Sequence, residues 1–268
     1  MRICALYSGS RGNAVFVECG GVKLLIDAGK SAHALKKALA DIGVSFADLD
    51  AILVTHEHCD HISALEGLRE EETVPIHAAG RCAEKLASIP SDYIQNNLVT
   101  HTPLFRLELD GVSISSFVTP HDSACSVGYR IEWQENGITH RIGYATDVGY
   151  VSDEVEAGLS GCEAVVIEAN HDVDMLRSGP YPYHLKQRIL SRRGHLSNAD
   201  CALLASRLAQ GGTKYFLLAH LSEKNNNPSL ALDEVFSALG DSKIRLVAAD
   251  PKLPTRLVWE ERADPIPS

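Results

Sequence analysis

The sequence has no long apolar run. Its apolar runs, such as Ala14 to Val17, Leu24 to Ile26, Ala51 to Val54, Ala164 to Ile167 and Tyr215 to Ala219, fall far below the ~18 residues that cross a bilayer. No transmembrane span is expected. The opening segment MRICALYSGSRGN has no apolar stretch of signal-peptide type, so the expected compartment is the cytoplasm. Paired cysteines are also missing. Seven are scattered along the chain with no CxxC spacing, which excludes a disulfide framework and a zinc ribbon, and most read as small buried hydrophobes. Positive charge is in deficit: 25 Lys and Arg against 35 Asp and Glu leave a net charge of -10. That excludes unspecific polyanion binding through overall charge but leaves room for a local basic patch. No Pro/Gly/Ser-rich linker, low-complexity tract or repeat divides the chain, so a single domain spanning 1–268 is expected.

What is present is a core-forming α/β pattern, with 45% hydrophobic and 22% charged residues over 268 positions. Short β-branched runs predict strands at Ile3 to Tyr7, Ala14 to Cys19, Lys23 to Asp27 and Ala51 to Thr55, with an amphipathic helix from Ala32 to Ile42. A meander follows: Leu104 to Leu109, Val112 to Val118, Val127 to Glu132 and Ile138 to Ala145, the last two joined by a turn at Glu135-Asn136-Gly137. The final third predicts strands at Ala164 to Glu168, Lys214 to Ala219 and Ile244 to Val247. Helices near Tyr183 to Leu190, Ala199 to Gln210 and Leu230 to Leu239 separate them, and the fold reads as continuous to about Pro254. Strands and helices in both halves predict a layered α/β fold, two sheets inside and helices outside.

Twelve histidines are many, and their placement is informative. Thr55-His56-Glu57-His58-Cys59-Asp60-His61 follows directly on the apolar run Ala51 to Val54. A tight turn there lets His56 and His58 reach one side while Asp60 and His61 reach another, so one loop offers ligands to two cations about 3.5–4 Å apart. The competing reading is a surface histidine cluster. Cys59, between alternating ligands, should point away from them. His33, His77, His101 and His140 have no motif around them and read as ordinary surface or core residues.

With Asp27 in LLIDAG, His121 in TPHD, Asp147 in YATDVGY and His220 in LLAHLSEKNNNP, the chain resembles the metallo-β-lactamase-fold metallohydrolases along most of its length. The resemblance implies a four-layer αβ/βα sandwich without a β-CASP insertion. It implies that His56, His58 and His121 bind a first divalent metal, that Asp60, His61 and His220 bind a second, and that Asp147 bridges them. Imidazoles and carboxylates suit zinc or manganese, and iron is accepted by such a set as well. Asp27 would fix the direction of a ligand imidazole, or be an ordinary turn residue at a strand end. Redox di-iron members of the fold place a carboxylate where His58 stands here, so that chemistry is not expected.

Four further segments, Ser8 to Asn13, Glu168 to Asp172, Gly194 to Asn198 and His220 to Asn226, are similar to the YycJ/WalJ branch of bacterial proteins associated with DNA exonuclease activity. The branch implies a phosphodiesterase acting on nucleic acid, duplex DNA from the 5′ end, through a hydroxide bridging the two metals and oriented by Asp60. Gly194-His195-Leu196-Ser197-Asn198 is similar to the segment with which β-CASP nucleases contact the scissile phosphate, so His195 would donate to the transition state. Ser197 or Asn198 would meet phosphate at a helix start, or simply cap that helix. Asn13, in a glycine-rich turn, would face an anion or belong to a tight hairpin. His171 or a metal-bound water would protonate the leaving oxygen. Lys186, Arg188, Arg192 and Arg193 form the densest basic cluster; Arg192 and Arg193 are expected at the substrate backbone, or the cluster is a solvated helix face. Small-molecule hydrolysis of an ester, thioester, lactone or cyclic phosphodiester remains the alternative. A transfer-RNA processing enzyme would bring an HEAT-type segment and an RNA-gripping arm, and neither is visible. A non-catalytic scaffold typically loses ligands, and none is missing.

Overall fold

In Val22-Lys23-Leu24-Leu25-Ile26 the side chains of Leu24 and Ile26 join one apolar cluster and Leu25 another. Burial of alternate residues on opposite faces marks a strand covered on both sides, and it sets the architecture of the whole chain. The computed structural model describes residues 1–240 and 243–258.

One sheet is built from β1 (Arg2–Tyr7), β2 (Ala14–Cys19), β3 (Val22–Ile26), β4 (Ala51–Leu53), β5 (Ile76–Ala79) and β6 (Leu98–His101). The helices of this half are α1 (Ala32–Asp41), α2 (Cys59–Ile62), α3 (Gly80–Ala87) and α4 (Asp92–Asn97). The second half supplies β7 (Arg106–Leu109), β8 (Val112–Val118), β9 (Val127–Glu135), β10 (Ile138–Ala145), β11 (Ala164–Glu168), β12 (Tyr215–Ala219) and β13 (Arg245–Ala248). Its helices are α5 (Asp153–Leu159), α6 (Val173–Ser178), α7 (Tyr183–Ile189), α8 (Asn198–Gln210) and α9 (Pro228–Leu239). A last strand, β14 (Thr255–Leu257), returns to the first sheet and pairs antiparallel with β1, Cys4 opposite Arg256. The sheet orders are β14-β1-β2-β3-β4-β5-β6 and β13-β12-β11-β10-β9-β8-β7.

Three apolar clusters account for the layering. Ile3, Val17, Leu24, Leu53, Ile131 and Leu217 meet between the sheets. Phe16, Leu25 and Ile52 pack outward on Leu35 and Leu39 of α1 and Leu86 of α3. Val165, Phe216 and Leu218 pack outward on Val155 of α5, Leu204 of α8 and Val235 of α9. The result is helix, sheet, sheet, helix, the four-layer αβ/βα sandwich expected of the metallo-β-lactamase fold. Asn136 and Gly137, at φ 51° and 76°, make the hairpin turn between β9 and β10, as their residue types predict. Two expectations need correction. The fold does not stop near Pro254, because β14 closes the edge beyond β1. The residues between α2 and β7, for which no element was predicted, form two short strands and two helices on the first sheet's open side. The expected domain span includes 241–242 and 259–268, which lie outside the described residues.

Candidate metal centre

β3, β4, β10, β11 and β12 all end on one side of the sandwich, and there the chain places Asp27, the Thr55 to His61 loop, Asp147, Glu168 and His220. His121 arrives from the loop after β8. Asp27, Asp147 and His220 have φ of 61°, 58° and 57°, a left-handed conformation uncommon without glycine. Three such residues follow β3, β10 and β12 on the same side of the sandwich, backbone held in a costly conformation where side-chain direction matters.

The side chains form two triads. His56 Nε2 lies 3.0 Å from His58 Nδ1, and His121 Nε2 lies 3.4 Å from that same nitrogen. On the other side, Asp60 Oδ2 is 3.5 Å from His61 Nε2 and 3.7 Å from His220 Nε2. Asp147 stands between the triads: Oδ1 is 3.7 Å from His121 Nε2, and Oδ2 is 3.4 Å from His61 Nε2. In each triad the donor atoms lie within 4.8 Å of one another, close enough to share one ion. Asp147 Oδ2 and His220 Nε2 are buried without a hydrogen-bond partner, a state that costs folding free energy unless a further group meets them. Donor chemistry and orphaned atoms both fit divalent metal binding.

The other ring nitrogens are held by the scaffold. His61 Nδ1 donates to Asp27 Oδ2 at 2.8 Å, and Asp27 accepts from the Thr55 amide and hydroxyl as well. His121 Nδ1 donates to the Gly194 carbonyl at 3.0 Å, and Thr55 Oγ1 lies 3.0 Å from His56 Nδ1. Each bond leaves the opposite nitrogen to face the triad, which is how supporting partners set tautomer and aim. Asp27 is fully buried, and the second of its two expected roles, an ordinary turn residue, is set aside by this bond. Gly29 permits the close approach beneath: a Cβ there would lie 2.1 Å from the Asp60 carbonyl oxygen.

Protonation follows from burial and neighbouring charge. Burial, with the charges of His61 and His121 adding to it, holds His56 well below the ordinary imidazole range, in the neutral form that ligation needs. Burial works against ionisation of Asp60 and Asp147, yet contact with His220 and His61 overrides it and keeps both carboxyls below the usual range. His220 is opposed by burial, but the charge of Asp147, the nearby carboxylate of Asp60 and the bond to Glu168 raise it to about 10. His61 is likewise raised above the ordinary range, burial opposing and the charges of Asp147 and Asp27 favouring its protonated form. A divalent cation held by these residues would supply positive charge to the same carboxylates.

The chain brings a further carboxylate here that sequence reasoning did not assign. Glu168 is fully buried at the end of β11, and its Oε1 accepts from His195 Nδ1 at 2.8 Å and His220 Nδ1 at 2.9 Å. Oε2 accepts from the backbone amides of Val148 and Leu196 at 2.7 and 3.1 Å. The available signal was an acidic residue closing the apolar run Ala164 to Ile167. Ser8 was also missed; its hydroxyl accepts from the His220 amide at 2.6 Å.

A cleft of about 250 Å³ opens over the triads, lined among others by His58, Asp60, Asp147, His195 and Arg188. His195 reaches it as expected. Several expected substrate contacts do not. Asn13 is buried and turns its amide inward, 3.0 Å from His61 Nε2 and 3.3 Å from Asp60 Oδ2. Ser197 caps α8, accepting from the Asp200 amide at 3.1 Å and donating to the Asp200 carboxylate at 2.7 Å. Asn198 is spent in a reciprocal amide pair with Asn226, at 2.9 and 2.8 Å. His171 is buried, and burial presses its imidazole down to about 4, which favours the neutral ring away from solvent. Arg193 donates to the His121 carbonyl at 3.3 Å, and Arg192 lies over the Tyr150 ring at 3.9 Å. Both are at the edge of the centre but outside the cleft lining. Cys59 is exposed on α2, and His77 pairs with His101 at 2.8 Å away from the centre.

The chain has relatives among known proteins. Residues 23–221 match the domain family described as the beta-lactamase superfamily domain. The chain is 34% identical over 269 residues to exodeoxyribonuclease YycJ of Bacillus anthracis, covering 97% of this chain and 99% of the relative. It is 37% identical over 230 residues to exodeoxyribonuclease WalJ of Streptococcus pneumoniae strain D39, covering 84% and 83%. The crystal structure of the metallo-beta-lactamase fold protein YhfI from Bacillus subtilis superposes with a TM-score of 0.71 at 18% identity, covering 95% of this chain and 98% of that one. With a domain match across most of its length and relatives of this similarity, the chain belongs to the beta-lactamase superfamily, in the YycJ/WalJ branch.

Proposed function

We propose that the protein is a metal-dependent exodeoxyribonuclease that removes nucleotides from the 5′ end of duplex DNA, folded as one domain over the whole chain. The position of Asp147 carries this reading: at the floor of the cleft its carboxylate lies between the triads, Oδ1 3.7 Å from both His121 and His220 and Oδ2 3.4 Å from His61. His56, His58 and His121 would hold one divalent cation and Asp60, His61 and His220 a second, zinc, manganese or iron according to availability. When bound, such a pair supplies Lewis acidity toward a phosphodiester and a water of lowered pKa. The names of the two relatives support DNA as substrate.

The protein's own groups supply the rest. Asp27, Thr55 and Gly194 fix the imidazoles, so the centre needs little rearrangement when substrate arrives. Glu168 accepts from Nδ1 of His195 and so orients the ring, whose Nε2 would be the group that meets a phosphoryl or leaving oxygen in the cleft. His171 is not needed as the acid. The second reading is a hydrolase of small phosphodiesters or esters, which the same metal ligands would serve. Duplex DNA carrying a 5′ phosphate and labelled at either end, given manganese or zinc, separates the two. Loss of nucleotides from the 5′ end, absent in Asp147→Ala, is expected. Hydrolysis of bis(4-nitrophenyl) phosphate with intact DNA moves the assignment to a small substrate.

A further inference from the structure

Among the lysines and arginines of the basic cluster, Arg188 alone lines the cleft. It sits in the last turn of α7 and forms a two-pronged ion pair with Asp122: Nη2 to Oδ1 at 3.1 Å, and Nε to Oδ2. Asp122 follows His121 directly, and its Oδ1 is 3.4 Å from His121 Nε2. The arginine side chain is 53% exposed, and pairs this open to solvent add little to stability. A guanidinium this open to solvent, fixed in a bidentate pair at the rim of a metal centre, is free to meet a ligand entering the cleft.

The pair also separates two spaces. On its far side is a cavity of about 430 Å³, lined by Asp122, Lys85, Cys59 and the buried carboxylate of Glu57. His58 borders both spaces. Parting Arg188 from Asp122 would join them into one groove passing the first triad. Arg192 stacked on Tyr150 and Arg193 bonded to the His121 carbonyl fix the segment that follows α7, so Arg188 can change partner without the helix moving.

On the reading of the protein as a nuclease, we propose that Arg188 is the phosphate-binding residue of the cleft and that Asp122 holds its place in the free protein. A guanidinium fork matches two phosphate oxygens as it matches two carboxylate oxygens. Substrate binding exchanges the Asp122 carboxylate for a backbone phosphate beside the metal centre, and the opened groove receives the strand. No covalent step is involved. Asp122 sets selectivity: a ligand without a phosphate-like anion leaves the pair closed.

The test is fluorescence anisotropy of the metal-loaded protein with a 5′-phosphorylated duplex oligonucleotide made resistant to cleavage by phosphorothioate linkages, across about 50–200 mM salt. Arg188→Ala should weaken binding about tenfold and lower the slope of log affinity against log salt by about 0.9. Arg188→Lys should keep the slope and recover part of the affinity. Asp122→Asn should bind about threefold tighter than wild type, the competing charge being gone. Unchanged affinity and slope in Arg188→Ala, or Asp122→Asn binding no tighter than wild type, overturns the exchange while leaving the nuclease reading intact. Wild-type protein that neither binds nor cleaves DNA overturns both.

Discussion

The carboxylate of Glu168 lies 2.8 Å from Nδ1 of His195 and, through the same oxygen, 2.9 Å from Nδ1 of His220. One buried acid thus aims an imidazole at the cleft and another at the second triad. His195→Ala should keep the wild-type metal content and lower turnover on DNA by about 10²–10⁴-fold. Glu168→Gln should lower turnover and, through His220, weaken metal affinity by about 10–100-fold. Elemental analysis beside single-turnover kinetics separates the two. Metal loss in His195→Ala would place His195 among the ligands instead.

Asn198 and Asn226 spend their amides on each other inside the protein. Removing one leaves the other buried and half-satisfied, so Asn198→Ala should cost on the order of 1–3 kcal/mol of stability. Urea unfolding measures the loss, and KM for DNA should be unchanged for the folded fraction. A raised KM at wild-type stability would restore Asn198 as a substrate contact.

The motif from His56 to His61 was legible because its ligands are neighbours in sequence and follow a strand whose apolar run is unmistakable. Glu168 was not, because its partners lie 27 and 52 residues further on and only the parallel pairing of β11 with β12 brings them together. Asn13, His171 and Asn198 show a different gap. Each is close to the centre, as the motifs implied, but sequence gives proximity without direction, and all three turn inward. Between α2 and β7 the strands are only four residues long and do not alternate clearly, so no period announced them.

His77 is pressed down to about 4 by burial, with the charge of His101 adding to it. Its folded value is below the ordinary 6.5, so the fold prefers the neutral ring. That contribution to stability is complete above pH 6.5 and is lost as pH falls from there through 4. Urea midpoints across this window should fall less steeply for His77→Gln than for wild type. Parallel curves would show that His77 does not couple to folding.

Gly29 lies against the Asp60 carbonyl and the Asn13 amide with no room for a side chain. Gly29→Ala should displace the loop that presents Asp60 and His61. Metal affinity should drop by about 10–100-fold, seen by competition with a chelating dye, with the far-ultraviolet circular dichroism preserved. Unaltered affinity would mean that the loop yields without moving its ligands.

The account stands on Asp147 joining two cation sites. The most direct measurement is the metal content of wild type and Asp147→Ala, taken by elemental analysis after equilibration with manganese or zinc, alongside hydrolysis of 5′-phosphorylated duplex DNA by the same samples. We expect two ions per wild-type chain, with at most one retained and no hydrolysis in the variant. A single ion in wild type, or two ions and full hydrolysis in Asp147→Ala, would contradict it.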